Sequence, residues 1–411
     1  MSILIKDVLL NGNKTDILIE KTKIVRISPN LEDNAEKIIN AKGLAVIPSF
    51  VNAHTHAAMT LLRGYADDMP LQKWLEEKIW PTEAKLTPRH VYWGTRLACL
   101  EMIKSGTTFF NDMYWHYEAT AQAIADSGMR ASLSAVLIDF FDEENLNEQM
   151  KHNETLLQKS ADYPGIVCSV GPHSVFTVSE KGLIWAKEFA SKNNLLLHIH
   201  LSETKNEVDY CIENNGMRPV EYLEKIGVLG ENVVAAHSVW VNEKEIEILK
   251  KRNVSLVYNP VSNMKLSSKG PFNYPALNSL KIGLGTDGSS SNNNLDMFEE
   301  MKIASLLQKE HHKPTTLTAD EIFKIATEGG AKIFGLNSGI IKEGADADIL
   351  LVDLSLPEMT PCYNLISNLV YAGNGSCVNT TICQGKILME NRKVKDEEEI
   401  VKQVKKISLE L

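Results

Sequence analysis

The sequence predicts an α/β fold: a (β/α)8 barrel of the TIM type, joined to a small β-sandwich domain built from both chain ends. Between residues 49 and 343, short apolar runs alternate with helical stretches, an order typical of a parallel sheet. Eight such runs match the number of strands that closes this kind of barrel. Both ends of the chain instead carry short strand-like runs separated by turns.

The two chain ends are expected to form one domain. Residues 1–48 contain strand-like runs and the hairpin-type turn Asn11-Gly12-Asn13, and no long helix fits there. Strand character returns in residues 344–395, so we expect these two segments to pair as the small β-sandwich. The charged stretch that follows, residues 396–411, is predicted to be a C-terminal helix packed on the surface.

The barrel is predicted to span residues 49–343. Between its strands lie helical stretches such as Pro88 to Lys104, and the stretch 318–334 is expected to pack outside the barrel. The long segment 57–87 separates the first strand from the next helix, and connections of that length in a compact domain are usually functional. The strand candidates lie near 46–52, 107–111, 131–137, 166–170, 195–200, 233–237, 254–258 and 282–286.

Composition excludes several classes of protein. The chain has 411 residues, 23% of them charged, and a net charge of −10, with no basic cluster that would suggest nucleic-acid binding. No apolar stretch approaches the 18 or so residues of a membrane span. The six cysteines are scattered and form no C-x-x-C motif, which favours free thiols. The scattered cysteines and an N-terminus that lacks a signal-peptide pattern together predict a cytoplasmic protein.

Two histidines follow the first apolar run of the predicted barrel. His54 and His56 are two residues apart, and residues with that spacing on a strand point to the same face. Two imidazoles at one strand end can bind one metal ion. Alone, the H-x-H pattern is weak evidence, because most such pairs are incidental.

Three later segments strengthen the prediction of a metal site. His200, His237 and Asp287 each lie at the C-terminal end of a short apolar run. In a (β/α)8 barrel, the C-terminal ends of the strands form the face on which active sites are built. Imidazole nitrogens with one carboxylate suit a borderline ion such as Zn²⁺, and a catalytic ion also needs an open position for water. The sequence therefore predicts a metal-dependent enzyme.

At this point the chain resembles the amidohydrolase superfamily. More narrowly, it is similar to the methylthioadenosine/S-adenosylhomocysteine deaminase group, which is close to the chlorohydrolase-like deaminases. The matching motifs span nearly the whole chain in the expected order, and together they are highly specific. They are Asn52-Ala53-His54-Thr55-His56, Gly171-Pro172-His173-Ser174, His200-Leu201-Ser202-Glu203, Ala236-His237-Ser238, Gly285-Thr286-Asp287-Gly288 and Gly344-Ala345-Asp346-Ala347-Asp348-Ile349.

The resemblance implies one divalent metal ion, with Zn²⁺ favoured and Fe²⁺ or Mn²⁺ as alternatives. Its implied ligands are His54, His56, His200 and Asp287. Dinuclear sites in this superfamily use a bridging lysine at the end of the fourth strand. Here that position reads Val170-Gly171-Pro172-His173, without a lysine, which favours a single ion.

The resemblance also implies the catalytic roles. Asp287 would accept a proton from the attacking water, and Glu203 would protonate the ring nitrogen of the substrate, because an amidine-type carbon becomes electrophilic when its nitrogen accepts a proton. His237 would orient or polarise the water, and whether it also touches the metal is left open. His198 is interpreted as a packed barrel residue and not as a ligand.

Two further residues are candidates for substrate binding. His173 resembles the histidine that contacts the substrate, with a supporting structural role as its alternative. Glu83 resembles the carboxylate that binds ribose hydroxyls. Its alternative is an acid placed just before the helix that starts at Thr87-Pro88.

The implied reaction is hydrolytic deamination of an adenosine-type nucleoside by a metal-activated water, giving an inosine-type product and ammonia. Members that accept S-adenosylhomocysteine bind its carboxylate with arginine after the third strand. Between Ala131 and Pro164 this chain has no arginine, only Lys151 and Lys159 as cations. This favours adenosine, 5′-deoxyadenosine or methylthioadenosine as substrate.

Alternatives remain at this stage. The same scaffold could act on another aminated heterocycle, of the guanine or triazine type, and Glu83 would then have no ribose to bind. A non-catalytic protein that kept the fold is the second alternative, although such proteins usually lose metal ligands. A homo-oligomer is expected only by analogy with other barrel enzymes. The zinc fold of the cytidine deaminases is excluded, because its P-C-x-x-C motif is absent.

Overall fold

The computed structural model describes residues 2–69 and 71–411. It confirms the predicted fold class: a closed eight-stranded barrel accompanied by a mixed sheet from both chain ends. In chain order the strands are β1 (Ser2–Leu10), β2 (Asn13–Glu20), β3 (Lys23–Ser28), β4 (Lys37–Asn40), β5 (Leu44–Pro48), β6 (Phe50–Thr55), β7 (Thr107–Tyr114), β8 (Arg130–Leu137), β9 (Ile166–Pro172), β10 (Leu196–Leu201), β11 (Val233–His237), β12 (Ser255–Tyr258), β13 (Ile282–Leu284), β14 (Ile349–Asp353), β15 (Val378–Cys383), β16 (Lys386–Glu390) and β17 (Lys393–Val394).

The helices lie mostly between the barrel strands and after the last of them. They are α1 (Leu71–Trp74), α2 (Trp80–Glu83), α3 (Pro88–Ser105), α4 (Tyr117–Ser127), α5 (Glu143–Lys159), α6 (Glu180–Lys192), α7 (Lys205–Asn215), α8 (Pro219–Lys225), α9 (Glu243–Lys251), α10 (Pro260–Lys265), α11 (Tyr274–Leu277), α12 (Met297–His311), α13 (Ala319–Lys324), α14 (Gly330–Ile333), α15 (Leu365–Tyr371) and α16 (Glu397–Ile407). Shorter 3-10 turns span Ala57–Leu62, Ser160–Asp162, Pro357–Met359, Gly375–Cys377 and Ser408–Glu410, and π-helical turns span Leu75–Ile79 and Ile325–Gly329.

Local sequence explains the ends of α3. Thr87 accepts a hydrogen bond from the backbone N–H of His90, and His90 Nδ1 accepts one from the backbone N–H of Thr87. Pro88 fills the first helical position, where no backbone donor is needed. Gly106 ends the helix with φ +95°, a conformation that glycine adopts without steric cost.

Strands β6 to β13 form the barrel, all of them parallel, and β13 closes it against β6 through the pair Leu284 and Asn52. The Asn52 side chain supports this closure, because it donates to Thr286 Oγ1 at 2.7 Å and accepts from the Thr286 backbone N–H at 3.0 Å. Gly285 lies beside them, where a Cβ would be 2.9 Å from the backbone nitrogen of His54. Only glycine permits this approach of the two strands.

The other sheet contains β1 to β5 and β14 to β17, in the order β17-β16-β15-β14-β5-β1-β2-β3, with β4 paired to β1. Its inner side chains, among them Ile3, Ile17, Ile349 and Leu351, form a hydrophobic cluster of their own. The predicted boundaries of the three regions at 48, 343 and 395 stay predictions. Strands of this sheet span Ser2–Pro48 and Ile349–Val394.

One predicted element differs from the structure. The apolar run around 44–52 was expected to contain one strand of the barrel, whereas the chain makes two strands there, β5 and β6. β5 pairs antiparallel with β14 in the end sheet, while β6 pairs with β7 in the barrel. The division lies at Ser49, whose N–H donates to the Asp348 carbonyl at 3.1 Å. Pro48 and Ser49 interrupt the apolar run at this point, and a proline at a strand end was the available signal for the division.

The segment 57–87, expected to be a long connection, is largely helical: the 3-10 turn Ala57–Leu62, then α1, a π-helical turn and α2. In the part of the chain that the structure describes, no helix is long and apolar enough to cross a membrane. All six cysteines are free thiols, five of them buried, with Cys362 exposed.

Candidate active site

The polar residues singled out in the sequence meet at the C-terminal ends of the barrel strands. His54 lies in β6 and His56 directly after it, His200 lies in β10, His237 ends β11, and Asp287 follows β13. The pairing of neighbouring strands brings these residues to the same level of the barrel. Leu201, next to His200, pairs with His237, and Thr55, between His54 and His56, forms a bridge with Asp287. Parallel strands end at one edge, so residues far apart in sequence come together there.

Four of these side chains surround one point. His54 Nε2 and His56 Nε2 lie 3.4 Å and 3.3 Å from Asp287 Oδ1, and His200 Nε2 lies 3.3 Å from His56 Nε2. The candidate ligand atoms of His54, His56 and His200 lie within 4.8 Å of one another, as do those of His54, His237 and Asp287. Distances of this size between ligand atoms suit coordination of one ion by several of them.

The surroundings of His54 support a cation at this point. Its buried Nε2 makes no well-formed hydrogen bond among the residues that the structure describes, although Asp287 Oδ1 lies 3.4 Å away. A buried polar atom of this kind is costly unless something outside the chain satisfies it. Three imidazoles and one carboxylate are the donor set of catalytic zinc and related divalent ions, so the residues present fit such an ion.

Each histidine of this cluster is held at its other ring nitrogen. His56 Nδ1 lies 2.7 Å from the Met113 carbonyl oxygen and His200 Nδ1 lies 2.8 Å from the carbonyl oxygen of His173. A carbonyl only accepts, so both rings donate from Nδ1 and turn Nε2 towards the centre. His54 Nδ1 lies 2.8 Å from Nε2 of the buried His198.

Burial lowers the pKa of most of these imidazole rings. It lowers the pKa of His54 and of His237 to about 4, that of His173 to about 3, and that of His200 well below its usual value. These imidazoles are therefore neutral near pH 7, the form that offers a lone pair to a metal.

His56 and Asp287 form a charged pair. Burial alone would lower the pKa of His56, but its contact with Asp287 raises that pKa to about 9. Burial alone would likewise raise the pKa of Asp287, and the imidazoles of His54 and His56 hold it well below its usual value. A metal ion bound by Nε2 of His56 would take the place of the proton on that nitrogen.

The second oxygen of Asp287 has its own donors. The Ser262 hydroxyl donates to Oδ2 at 2.6 Å and the Ser291 hydroxyl at 3.3 Å, while Oδ1 faces the histidines. Asp287 itself adopts a left-handed backbone conformation with φ +62°. Two hydroxyls thus fix which oxygen of the carboxylate points to the centre.

Glu203 follows β10 and lies in the cavity above the cluster. Burial, and then the charge of Asp287, raise its pKa to about 8, so the acid is mostly protonated at neutral pH. Its backbone is held by the buried Glu207, whose carboxylate accepts from the N–H groups of Ser202 and Glu203 at 2.7 Å and 2.8 Å. A carboxyl group placed this way can donate a proton to a ligand.

His237 lies between Glu203 and the cluster. Its Nε2 is 3.8 Å from Glu203 Oε2, and its Nδ1 is 2.9 Å from the side-chain nitrogen of Asn263. The Asn263 amide donates to Nδ1, so Nε2 carries the ring proton and can donate to an oxygen at the centre. That arrangement suits the predicted role of orienting water.

A cavity of about 1150 Å³ opens above these residues. Glu83 lines it from α2, beside Tyr114 and Trp115, and burial raises the pKa of Glu83. His173 lines it as well, with Nδ1 2.8 Å from Thr177 Oγ1 and a carbonyl that supports His200. Its carbonyl thus supports the cluster, while substrate contact by His173 stays a prediction.

Several neighbours of the cluster were not predicted: Ser262, Asn263, Ser291 and Glu207. Ser262 and Asn263 follow the seventh barrel strand, so their position after a strand end was a usable signal. The sequence around Glu207 gave no signal of a role in the site, because an acid in the first turn of a helix is usually a simple capping residue.

Similarity to known proteins extends over the whole chain. The amidohydrolase family model matches residues 45–388. Over 411 residues the chain is 47% identical to the 5′-deoxyadenosine deaminase of Methanospirillum hungatei, covering 97% of this chain and 92% of that protein. Over 375 residues it is 49% identical to 5-methylthioadenosine/S-adenosylhomocysteine deaminase 1 of Archaeoglobus fulgidus, covering 90% and 89%.

Among solved structures, the chain resembles a crystal structure of an adenosine deaminase from Xanthomonas campestris with bound zinc. The TM-score is 0.93 and the sequence identity 32%, and the match covers 100% of this chain and 98% of that chain.

Proposed function

The chain belongs to the amidohydrolase family, and from this premise we propose that it is a metal-dependent deaminase that converts an adenosine-type nucleoside into the inosine-type product and ammonia. One observation carries the proposal: Glu203 and His237 converge beside the cluster of metal-ligand type that contains Asp287, at the floor of the cavity. The relatives described above, which are deaminases of adenosine derivatives, support the substrate class.

His54, His56, His200 and Asp287 would bind the ion. When bound, a divalent ion would supply Lewis-acid chemistry, which lowers the pKa of a coordinated water to about 7. We propose Zn²⁺, in line with the zinc-bound adenosine deaminase that this chain resembles, and Fe²⁺ or Mn²⁺ as the alternatives that metal analysis would separate.

The protein residues divide the proton transfers between them. Glu203 donates its proton to N1 of the purine, which makes C6 electrophilic. Asp287 accepts a proton from the water whose oxygen bonds to C6, and His237 orients that water. The amino group then takes the proton from Asp287, the C6–N bond breaks and ammonia leaves, while the hydroxyl proton on C6 returns to Glu203.

The substrate class is tested by ammonia release from metal-replete protein with adenosine, 5′-deoxyadenosine, methylthioadenosine, S-adenosylhomocysteine and guanine. We expect the three nucleosides without a carboxylate to have the highest kcat/KM, since no arginine lies among the cavity residues that the structure describes. Reaction of guanine alone, or of none of the five, would contradict a nucleoside deaminase.

A change at Glu83 tests whether the site binds a ribose. Glu83→Gln is expected to lower kcat/KM for adenosine by about tenfold or more, because a buried carboxylate that accepts from ribose hydroxyls loses its charge-assisted hydrogen bonds. The matched measurement uses 2′,3′-dideoxyadenosine, which lacks both hydroxyls and should respond little to the change. Equal losses for both nucleosides would assign Glu83 a structural role instead.

Location and assembly are part of the proposal. Free cysteines support a reducing compartment, so we propose that the protein acts in the cytoplasm. Homo-oligomerisation is proposed by analogy with other barrel enzymes, and size-exclusion chromatography with light scattering tests it.

A further inference from the structure

The acid in the first turn of α7, Glu207, binds the backbone outside its own helix. The hydroxyl of the N-cap residue Thr204 accepts from the backbone N–H of Glu207 at 3.1 Å, which is one half of a capping box. In the other half of such a box, the acid accepts from the N–H of the N-cap residue. The Glu207 carboxyl group accepts instead from the N–H groups of Ser202 and Glu203, at 2.7 Å and 2.8 Å.

Another helix of this chain shows the usual arrangement. At α13 the Thr318 hydroxyl accepts from the Glu321 N–H at 3.4 Å, and the Glu321 carboxylate accepts from the Thr318 N–H at 2.7 Å. Thr204 and Glu207 are the same residue types at the same spacing. Because the Glu207 carboxyl group nevertheless reaches past the N-cap residue, capping of α7 does not explain its position.

The turn that Glu207 binds has an unfavourable backbone conformation. Ser202 has a φ of +49°, in the left-handed region that residues with a Cβ rarely occupy. Such a conformation persists only where surrounding contacts impose it. Glu207, which is 3% exposed, supplies two of these contacts. Ser202 lies between β10 and Glu203, so its conformation sets the direction in which Glu203 leaves the strand.

The other side of the turn is held by the backbone. The Trp240 N–H donates to the Ser202 carbonyl at 2.9 Å, from the segment that follows β11 and His237. The His237 ring has a separate support, because its Nδ1 lies 2.9 Å from the side-chain nitrogen of Asn263. Loss of the carboxyl group on α7 would therefore release Glu203 and leave the support of His237 in place.

We propose that Glu207 is a positioning residue for the proton transfer: through the left-handed turn at Ser202, it holds Glu203 in the place from which Glu203 donates its proton. This inference rests on the proposed function. Displacement of a reacting group by about 1 Å can lower a rate about 10²-fold. Loss of a helix cap alone lowers stability and leaves the rate of the folded enzyme unchanged.

Glu207→Gln tests the contact directly. The amide keeps one acceptor oxygen but turns an NH₂ donor towards the second backbone N–H. We expect kcat to fall by about 10–100-fold, KM to change by less than about threefold and the metal content to stay unchanged. Glu321→Gln makes the same change in the ordinary capping box of α13. It should affect at most the melting temperature.

The double variant Glu203→Gln/Glu207→Gln separates positioning from a general structural role. If Glu207 acts through Glu203, its replacement should change the kcat of Glu203→Gln by less than about twofold, because the proton donor that it positions is already absent. A general structural role would instead lower kcat by the same factor in both backgrounds. Steady-state kinetics of the four proteins, normalised to metal content, would measure the coupling.

Glu207→Asp tests the same contact should Glu207→Gln fail to fold. Aspartate keeps a negative charge in the first turn of α7, which suits the helix N-terminus, but its side chain is one methylene shorter. It should show the same loss of kcat and the same dependence on Glu203. Wild-type kcat in Glu207→Gln or Glu207→Asp, or an equal loss in the Glu203→Gln background, would overturn the positioning role alone. If the wild-type enzyme deaminates no nucleoside, the proposed function fails and this inference fails with it.

Discussion

Replacing Glu203 by glutamine is expected to lower kcat by about 10³-fold on the preferred nucleoside while leaving the metal content unchanged. Glutamine keeps the shape of the side chain but cannot give a proton to N1. Because Glu203 is not a member of the metal cluster, the loss should appear in kcat and not in metal stoichiometry. Steady-state kinetics with metal analysis of the same samples would measure both.

The pH profile gives this prediction a second readout. Glu203 can donate only while protonated, and burial followed by the charge of Asp287 raises its pKa to about 8. The enzyme with a protonated Glu203 therefore predominates below pH 8. Well above pH 8, the fraction of enzyme in this form decreases by about tenfold per pH unit. We expect kcat/KM to fall on the alkaline side with a midpoint near 8, and the residual activity of Glu203→Gln to lack that fall.

The control is Glu213→Gln, which makes the same chemical change at an exposed position on α7. It should leave kcat and the pH profile unchanged. Near-normal activity of Glu203→Gln, or an alkaline fall that persists in it, would remove Glu203 as the proton donor.

His200→Ala is expected to reduce both metal content and activity to the level of protein stripped by a chelator. His200 offers Nε2 to the cluster and is oriented by the His173 carbonyl, so its loss removes one of four donors. Loss of a donor should weaken metal binding by more than the 10–100-fold typical of a supporting residue. Metal content after dialysis against a buffered metal series would measure the affinity.

Two further variants allow the loss of metal affinity in His200→Ala to be compared with that of a supporting residue and of an exposed histidine. His198→Ala removes only the ring that contacts His54 Nδ1 and should weaken metal binding by about 10–100-fold. His152→Ala removes an exposed histidine of α5 and should change nothing. Full metal content in His200→Ala would contradict its assignment as a ligand, and equal losses in His198→Ala and His200→Ala would contradict the distinction between ligand and support.

The approximate positions of the barrel strands could be predicted because each depends on local patterns. Apolar runs alternating with helical stretches identify the strands, and the polar residue that ends each run marks the edge where parallel strands finish together. His54, His200, His237 and Asp287 could therefore be grouped before any contact was known. Local pattern does not show which sheet a run joins, so Pro48 could mark a break in the first run but not the transfer of the chain from the end sheet to the barrel.

The supporting contacts of the site depend on residues that approach from other elements. Ser262 reaches Asp287 from α10, and His198 reaches His54 across the barrel interior. Such pairs leave no periodic signal, because their partners are separated by 25 and 144 residues along the chain. His198 was interpreted correctly as buried in the barrel, but its contact with a candidate ligand could be found only in three dimensions.

The sequence by itself determined the fold class, the family and the candidate set of ligands and acids, since these depend on residue type, spacing and order along the chain. The tertiary structure alone decided the raised pKa of Glu203, the oxygen that Asp287 turns inward and the contact between His198 and His54. The physical reason is that burial and hydrogen-bond direction arise from atoms that only packing brings together.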